Sequence, residues 1–356
     1  MQPLRFIMVG AGGFGAYWIR TIFPRIAQWA QPVAVVDING DALALPKERG
    51  TVPAEKLYTD IHKAIAETPC DFLVLVIPPE HRMPYIDLAV KHGLHVLCEK
   101  PIAPTMDDAC QMYAKLAGAG LKASVTVSHR MEREKQSLNR LLDDKVYGKL
   151  NYITGRFTMR RQLREYPSGT SSWEEYVRAA MSGGVIHELD TFRGLARSNA
   201  KTVFSRMWRF DPGSHGAGLS SMTTVEMENG VTCFIEHSSA NATELNGWSR
   251  EYYRAECESA TVVLDGTTLT ASSGLGFPLP LRADLPLADD DCWDHTLIVR
   301  DFCAWLNGGP EPETTMKDHL HCCALTFAAV ESAVTGKAVD VQAYLKESLA
   351  KHQIAL

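Results

Sequence analysis

The chain has 356 residues, 46% of them hydrophobic and 22% charged, with a formal net charge of −6. At roughly 150 residues per domain this suggests two domains, with enough core between them to fold without disulfides or metals. The negative balance excludes the long-range positive field of a general nucleic-acid binder. No run of about 18 apolar residues offers a membrane span, and the opening apolar run is only Phe6 to Val9, shorter than the roughly 7–15 residues of a secretion signal. Nine cysteines are scattered without CxxC spacing, which reads as free thiols in a reducing cytoplasm.

In chain order, Leu4–Val9 is an apolar strand that runs into Gly-Ala-Gly-Gly-Phe-Gly, and a helical pattern follows (Tyr17, Ile19, Ile22, Phe23, Ile26). Val33–Val36, Phe72–Ile77, Leu94–Cys98 and Ala123–Val127 are further buried strands, separated by amphipathic stretches such as Pro84–His92 and Thr105–Ala119. Buried strands alternating with helices predict a parallel sheet covered on both faces, and right-handed crossovers make it doubly wound. After about residue 125 the rhythm changes. A helix at Glu132–Asp144 precedes longer strands at Leu150–Thr158, Thr202–Phe210, Met222–Glu228, Val231–His237, Tyr252–Glu258 and Ala260–Leu264. Asn229-Gly230 between two of them predicts a hairpin. Thr315–Val334 is Ala-rich and helical. The expected architecture is α/β: an N-terminal doubly wound Rossmann domain at 1–124, then an α+β domain at 125–356 with a large open mixed or antiparallel sheet. The 315–334 helix is free to pack back on the first domain.

Gly10, Gly12 and Gly15 form G-x-G-x-x-G between a strand and a helix, and Asp37 ends the next strand 22 residues after Gly15. That combination is specific for a dinucleotide. Gly10 permits the tight turn, Gly12 lets backbone amides approach the pyrophosphate, and Gly15 lets the helix lie close to the sheet. A carboxylate at Asp37 accepts hydrogen bonds from ribose hydroxyls and repels a 2′-phosphate. Ile38 and Asn39 supply no cation beside it, so NAD is expected over NADP.

The strand Leu94–Cys98 leads into Glu99-Lys100-Pro101, beyond the carboxyl end of the sheet, where a nicotinamide would lie. A lysine there can hydrogen-bond a substrate hydroxyl. The glycine motif, Ile77-Pro78-Pro79-Glu80-His81, Glu99-Lys100-Pro101, Ser128-His129-Arg130, Gly148-Lys149-Leu150 and Gly183-Gly184-Val185-Ile186-His187-Glu188-Leu189-Asp190 together resemble the glucose–fructose oxidoreductase/inositol dehydrogenase (Gfo/Idh/MocA) family. The resemblance implies an NAD-dependent oxidoreductase that moves a hydride between the nicotinamide and a secondary alcohol of a sugar or cyclic polyol. In its terms Lys100 binds the reacting hydroxyl, His187 is the general base, and Asp190 orients that base or caps a substrate hydroxyl. The cofactor set is then Gly10, Gly12, Gly13, Phe14, Gly15, Asp37, Pro78, His81, Glu99 and Lys100.

His129 and Arg130 follow a strand and are placed at the cleft, as well suited to a structural hydrogen bond as to substrate. Tyr166 and Trp173 are expected in a loop before His187, covering the site or simply packed. The family pattern has an aspartate four residues before the histidine, and here that position is Gly183, with Glu174, Glu175 and Asp294 as candidate substitutes. The absence leaves open a second function, in which tightly held NAD is used transiently in elimination or glycoside cleavage, or the protein only senses dinucleotide or sugar. His319, His321, Cys322 and Cys323 resemble a metal cluster on paper, but their Ala-rich surroundings favour a helix–helix core, and no metal is expected. An open sheet needs cover, so a homodimer or homotetramer is expected.

Overall fold

Strand β1 (Leu4–Val9) forms where it was expected, because its last four residues can be buried on both faces of a sheet. It lies at the centre of a six-stranded parallel sheet with β2 (Ala30–Val36), β3 (Leu57–Tyr58), β4 (Phe72–Leu75), β5 (His95–Cys98) and β6 (Ala123–Val125), in the order β3-β2-β1-β4-β5-β6. All its pairings are parallel. In this doubly wound order the direction of winding reverses between β1 and β4, and a crevice for ligand opens beyond the strand ends there. The computed structural model describes residues 2–160, 172–209, 218–274 and 281–355.

The second sheet contains β7 (Leu150–Arg160), β8 (Ala200–Arg209), β9 (Leu219–Met227), β10 (Thr232–Asn241), β11 (Tyr252–Cys257), β12 (Thr261–Asp265), β13 (Thr268–Ser273), β14 (Leu281–Leu285) and β15 (Val339–Asp340). Its order is β14-β13-β12-β11-β7-β10-β9-β8-β15. The β7–β10 pairing is parallel and the rest are antiparallel. The sheet is therefore mixed. The β9–β10 hairpin turns at Asn229-Gly230 as expected, with Gly230 at φ 87° and the Asn229 side chain accepting from the Val231 amide.

Burial alternates along β8 and β9, so the sheet has an inner and an outer face. Helix Ile186–Ala196 is buried along its whole length. It packs on β7, where Gly155 leaves room for Phe192. On the outer face Phe204, Trp208, Met222 and Phe234 are exposed.

The chain divides into two compact units: Met1–Ser128 with Cys292–Leu320 and Ser348–Leu356, and His129–Asp291 with His321–Glu347. Helix Met316–Thr335 begins in the first and continues in the second. Among the described residues no helix is long and apolar enough to cross a membrane, and no disulfide joins the nine cysteines.

Candidate active site

In the first unit the glycine turn leaves β1 at Gly10, with φ 97°. A Cβ on Gly10 would lie 2.2 Å from the Val76 carbonyl oxygen, and one on Gly15 would lie 2.1 Å from the Gly10 carbonyl oxygen. No larger residue fits either contact. Above the turn there is space: a Cβ on Gly13 would meet nothing within 4 Å, and one on Gly12 only Ala42 at 3.9 Å. Asp37 ties this turn to the end of β2. Its Oδ2 accepts from the amides of Ala11 (2.7 Å) and Gly12 (3.2 Å), and its Oδ1 accepts from Asn39 (2.9 Å). Phe14 opens the helical segment and stacks on Tyr17 at 5.2 Å, with His295 beside both rings. Open room over the bare turn and a carboxylate at the next strand end fit a dinucleotide.

The ends of β4 and β5 lie next to this turn in the sheet. Pro78 precedes a single helical turn, Pro79–His81, in which His81 stays exposed. Arg82, the next residue, is buried and was not singled out in the sequence. Its Nε and Nη2 donate to the Ile77 carbonyl at 2.9 and 2.7 Å, and its Nη1 donates to the carbonyls of Glu99 and Pro101. One guanidinium thus fastens the β4 end to the segment that carries Lys100. Glu99 turns its side chain inward. Trp18 Nε1 donates to its Oε1 at 2.8 Å, and His295 Nε2 stands 3.3 Å from the same oxygen. Burial works against its charge, but His295, Trp18 and Thr126 together hold the carboxyl below the usual carboxylate range. Glu99 therefore anchors the strand end to the core, while Lys100 is half-buried.

In the second unit, a π-type turn at Met181–Val185 leads into helix Ile186–Ala196. Such widened turns recur at functional sites. His187 is the second residue of that helix and is 4% exposed. Its ring lies face to face with that of His129, centroids 3.8 Å apart at 20°. His129 Nδ1 is 2.9 Å from Glu251 Oε1, and Lys135 Nζ is 2.5 Å from Glu251 Oε2. Glu132 also meets Lys135 and accepts from the Ser249 hydroxyl. Burial pushes the Glu251 carboxyl up, but His129 and Lys135 more than offset it and bring it down to about 2. Trp248, nearly half exposed, sets its ring perpendicular to both histidines, at 5.4 Å from His129 and 5.8 Å from His187.

Asp190 does not stand alone as an orienting carboxylate. Arg130 Nε is 3.1 Å from its Oδ2 and Arg193 Nη1 is 3.2 Å from its Oδ1, all in the interior. A Cβ on Gly194 would lie 3.4 Å from the Arg130 side chain, so a bare helix face lets that arginine through. The positions four and three residues before His187, Gly183 and Gly184, carry no side chain. A Cβ on Gly183 would meet nothing within 4 Å, and one on Gly184 would lie 3.1 Å from His237 Nε2. Of the candidate substitute carboxylates, Glu174 pairs with Arg178, Glu175 caps its own helix at Ser172, and Asp294 pairs with Arg25 in the first unit. Glu251 is joined to the His187–His129 pair through His129, and a Glu188 carboxylate oxygen lies within 4.8 Å of the same His129 and Glu251 atoms.

Trp173 is not in a loop. It opens helix Trp173–Ala180, held by a Ser172–Glu175 capping box, and its ring faces the Arg209 guanidinium. Tyr166 lies outside the described residues. The parallel sheet and the glycine turn define a dinucleotide-binding protein of the Rossmann class. Residues 4–127 match the oxidoreductase family with an NAD-binding Rossmann fold, and residues 135–263 match the GFO/IDH/MocA C-terminal domain. The uncharacterized protein y4oX of Sinorhizobium fredii is 32% identical, over 96% of this chain and 97% of its own length. D-apiose dehydrogenase of Rhizobium rhizogenes is 24% identical, over 97% and 99%. A solved oxidoreductase of Agrobacterium radiobacter, crystallised with NAD+, L-tartaric acid and magnesium, is 20% identical with a TM-score of 0.77, covering 96% of this chain and 99% of that one. The chain belongs to the Gfo/Idh/MocA family of oxidoreductases.

The buried charges make a prediction about acid. Glu251 has its carboxyl at about 2 against an ordinary 4.5. Its stabilising contribution is fully present above about pH 4.5 and is lost as pH falls toward 2. Glu251→Gln leaves Lys135 short of a buried counter-charge and is expected to cost about 3–5 kcal/mol at neutral pH. Urea unfolding across pH is the measurement. The variant's stability should fall less steeply below pH 4.5, and equal slopes in both proteins would refute the assignment.

Proposed function

We propose that the protein is an NAD-dependent dehydrogenase acting on a secondary alcohol of a sugar, sugar derivative or cyclic polyol. The observation that carries the reading is the buried His187–His129 pair tied to an ionised Glu251, in a chain whose first unit is an NAD-binding Rossmann domain. The D-apiose dehydrogenase relative supports the substrate class. Oxidising an alcohol carbon removes a hydride from C–H and a proton from O–H, leaving a carbonyl. Bound NAD supplies the hydride acceptor.

Lys100 donates a hydrogen bond to the reacting hydroxyl oxygen and stabilises negative charge as it develops there. His187 takes the hydroxyl proton on its imidazole. The His129 ring backs His187 face to face at 3.8 Å, and Glu251 keeps the His129 ring in place. Asp190, neutralised by Arg130 and Arg193, fixes the helix that carries His187. Trp248 offers the exposed aromatic face that a sugar ring can cover. Asp37 favours NAD over NADP, because a 2′-phosphate would meet its carboxylate.

A second reading rests on the bare Gly183: tightly held NAD used transiently in elimination or glycoside cleavage, or a non-catalytic sensor. Mixing the protein with NAD and a panel of sugars, inositols and uronic acids separates the readings. Absorbance of reduced cofactor should rise with at least one of them, and Lys100→Met should lower that rate by about 100-fold or more while NAD still binds. No turnover with NAD demonstrably bound would sink the dehydrogenase reading.

Phe204, Trp208, Met222 and Phe234 are large apolar side chains exposed on the outer sheet face, interleaved with Thr224, Arg206 and Glu236, and such exposure is of the kind that marks an interface. A second copy of the chain covers it, as a homodimer or within a homotetramer. Light scattering should give a mass of two or four chains, reduced by Phe234→Glu. A monomer at all concentrations would overturn the assembly.

A further inference from the structure

His237 on β10 is 4% exposed, and neither of its ring nitrogens has a hydrogen-bond partner among the described residues. Its ring lies flat on Phe157, centroids 5.2 Å apart at 12°. Phe157 in turn meets Trp248 edge-on at 4.8 Å. Trp248 is the ring set against His187 and His129, so His237 belongs to the same aromatic chamber. Across the sheet it pairs in register with Ser221 of β9, whose hydroxyl is also buried without a partner. Beside it runs the π-type turn, where a Cβ on Gly184 would lie 3.1 Å from the buried Nε2 and one on Gly183 would meet nothing within 4 Å.

A buried polar group without a partner costs about 1–3 kcal/mol, and here three such atoms lie on two cross-strand neighbours of one sheet face. An apolar residue would be the cheaper choice if packing were the only requirement. Gly184, with no side chain, is the residue that closes on the His237 ring, one position after the glycine that stands where the family's pattern puts an aspartate. Resting on the dehydrogenase reading above, we infer that His237 and Ser221 form a hydroxyl-binding subsite under the Gly183-Gly184 turn, which takes an uncharged hydroxyl of the sugar or polyol. The chemistry of the pair selects that ligand. A neutral imidazole offers one N–H donor and one acceptor nitrogen, matching a hydroxyl, which needs one of each. Burial holds the ring neutral, with its pKa pushed down to about 4, and the serine hydroxyl adapts to either role. Gly183 thereby trades a charged contact for room, and the recognition it would have made passes to the sheet.

The test uses the NAD-loaded protein, labelled with 15N at the histidine rings, titrated with erythritol, D-xylose, D-apiose and myo-inositol, alongside oxidation assays on the same panel. The expected result is a saturable shift of the His237 nitrogens with at least one compound, abolished by Gly184→Ala, whose methyl would stand 3.1 Å from Nε2. For any panel member that is oxidised, His237→Phe keeps the ring stack and should raise KM about tenfold or more with kcat changed less than about threefold. The same variant should melt no lower than the parent, since it removes unsatisfied nitrogens. Oxidation of a panel member without movement of the His237 nitrogens overturns the subsite and leaves the dehydrogenase reading intact. A shift without oxidation supports the subsite and removes that reading. Neither shift nor oxidation overturns both, and so does a His237 signal that is insensitive to every compound in a protein that turns none over.

Discussion

A charge removed from water must be surrounded by partners, and partners on several sides leave a side chain only one position. Both units of this protein use that constraint to hold their functional segments. Arg82 spends its donors on the carbonyls of Ile77, Glu99 and Pro101, which fixes the backbone on either side of Lys100. Glu99 is locked by Trp18 and His295. In the second unit Glu251 joins His129 and Lys135, and Asp190 joins Arg130 and Arg193. These buried pairs are poor sources of stability relative to apolar packing. Their value lies in geometry: each holds a candidate catalytic group to its place without a flexible surface contact.

The backbone supplies the other constraint. Gly10 and Gly15 bring strand, turn and helix within distances that no Cβ tolerates, and Asp37 closes the turn against the next strand. The result is a rigid platform at the sheet's switch point, open above Gly12 and Gly13. The second unit works differently. Its helix Ile186–Ala196 is entirely buried, so His187 is presented from the core, and the bare π-type turn before it provides the opening.

How much of this could be read from residues alone follows from the range of the interactions. Local signals were legible. The bounds of β1, the Asn229-Gly230 hairpin, the glycine turn and Asp37 are all set by neighbours in sequence, and the helices Met83–His92 and Met106–Gly118 followed their periodicity. Strand β3 is two residues long and paired only with β2, too short to show a pattern. Strands β13 and β14 are polar enough to pass for loops. Helix Asp294–Leu306, which brings His295 to Glu99, starts after a Trp293 that makes no side-chain cap. Trp173 was misjudged because Pro and Gly upstream suggested a loop, although Ser172 and Glu175 already formed a readable capping box. Arg82, Glu251 and Trp248 were missed for a different reason. Their partners lie as far as 19 and 122 residues away, as with Arg82 to Pro101 and Glu251 to His129, and nothing local marks a side chain whose meaning is a distant contact.

Every proposed step depends on the glycine turn and Asp37 holding NAD. Calorimetric titration of NAD and of NADP into the same protein tests that directly. One NAD per chain should bind, with NADP weaker by about tenfold or more because its 2′-phosphate meets Asp37, and Asp37→Ser should narrow the gap. Equal affinity for the two cofactors, or no binding of NAD, would contradict it.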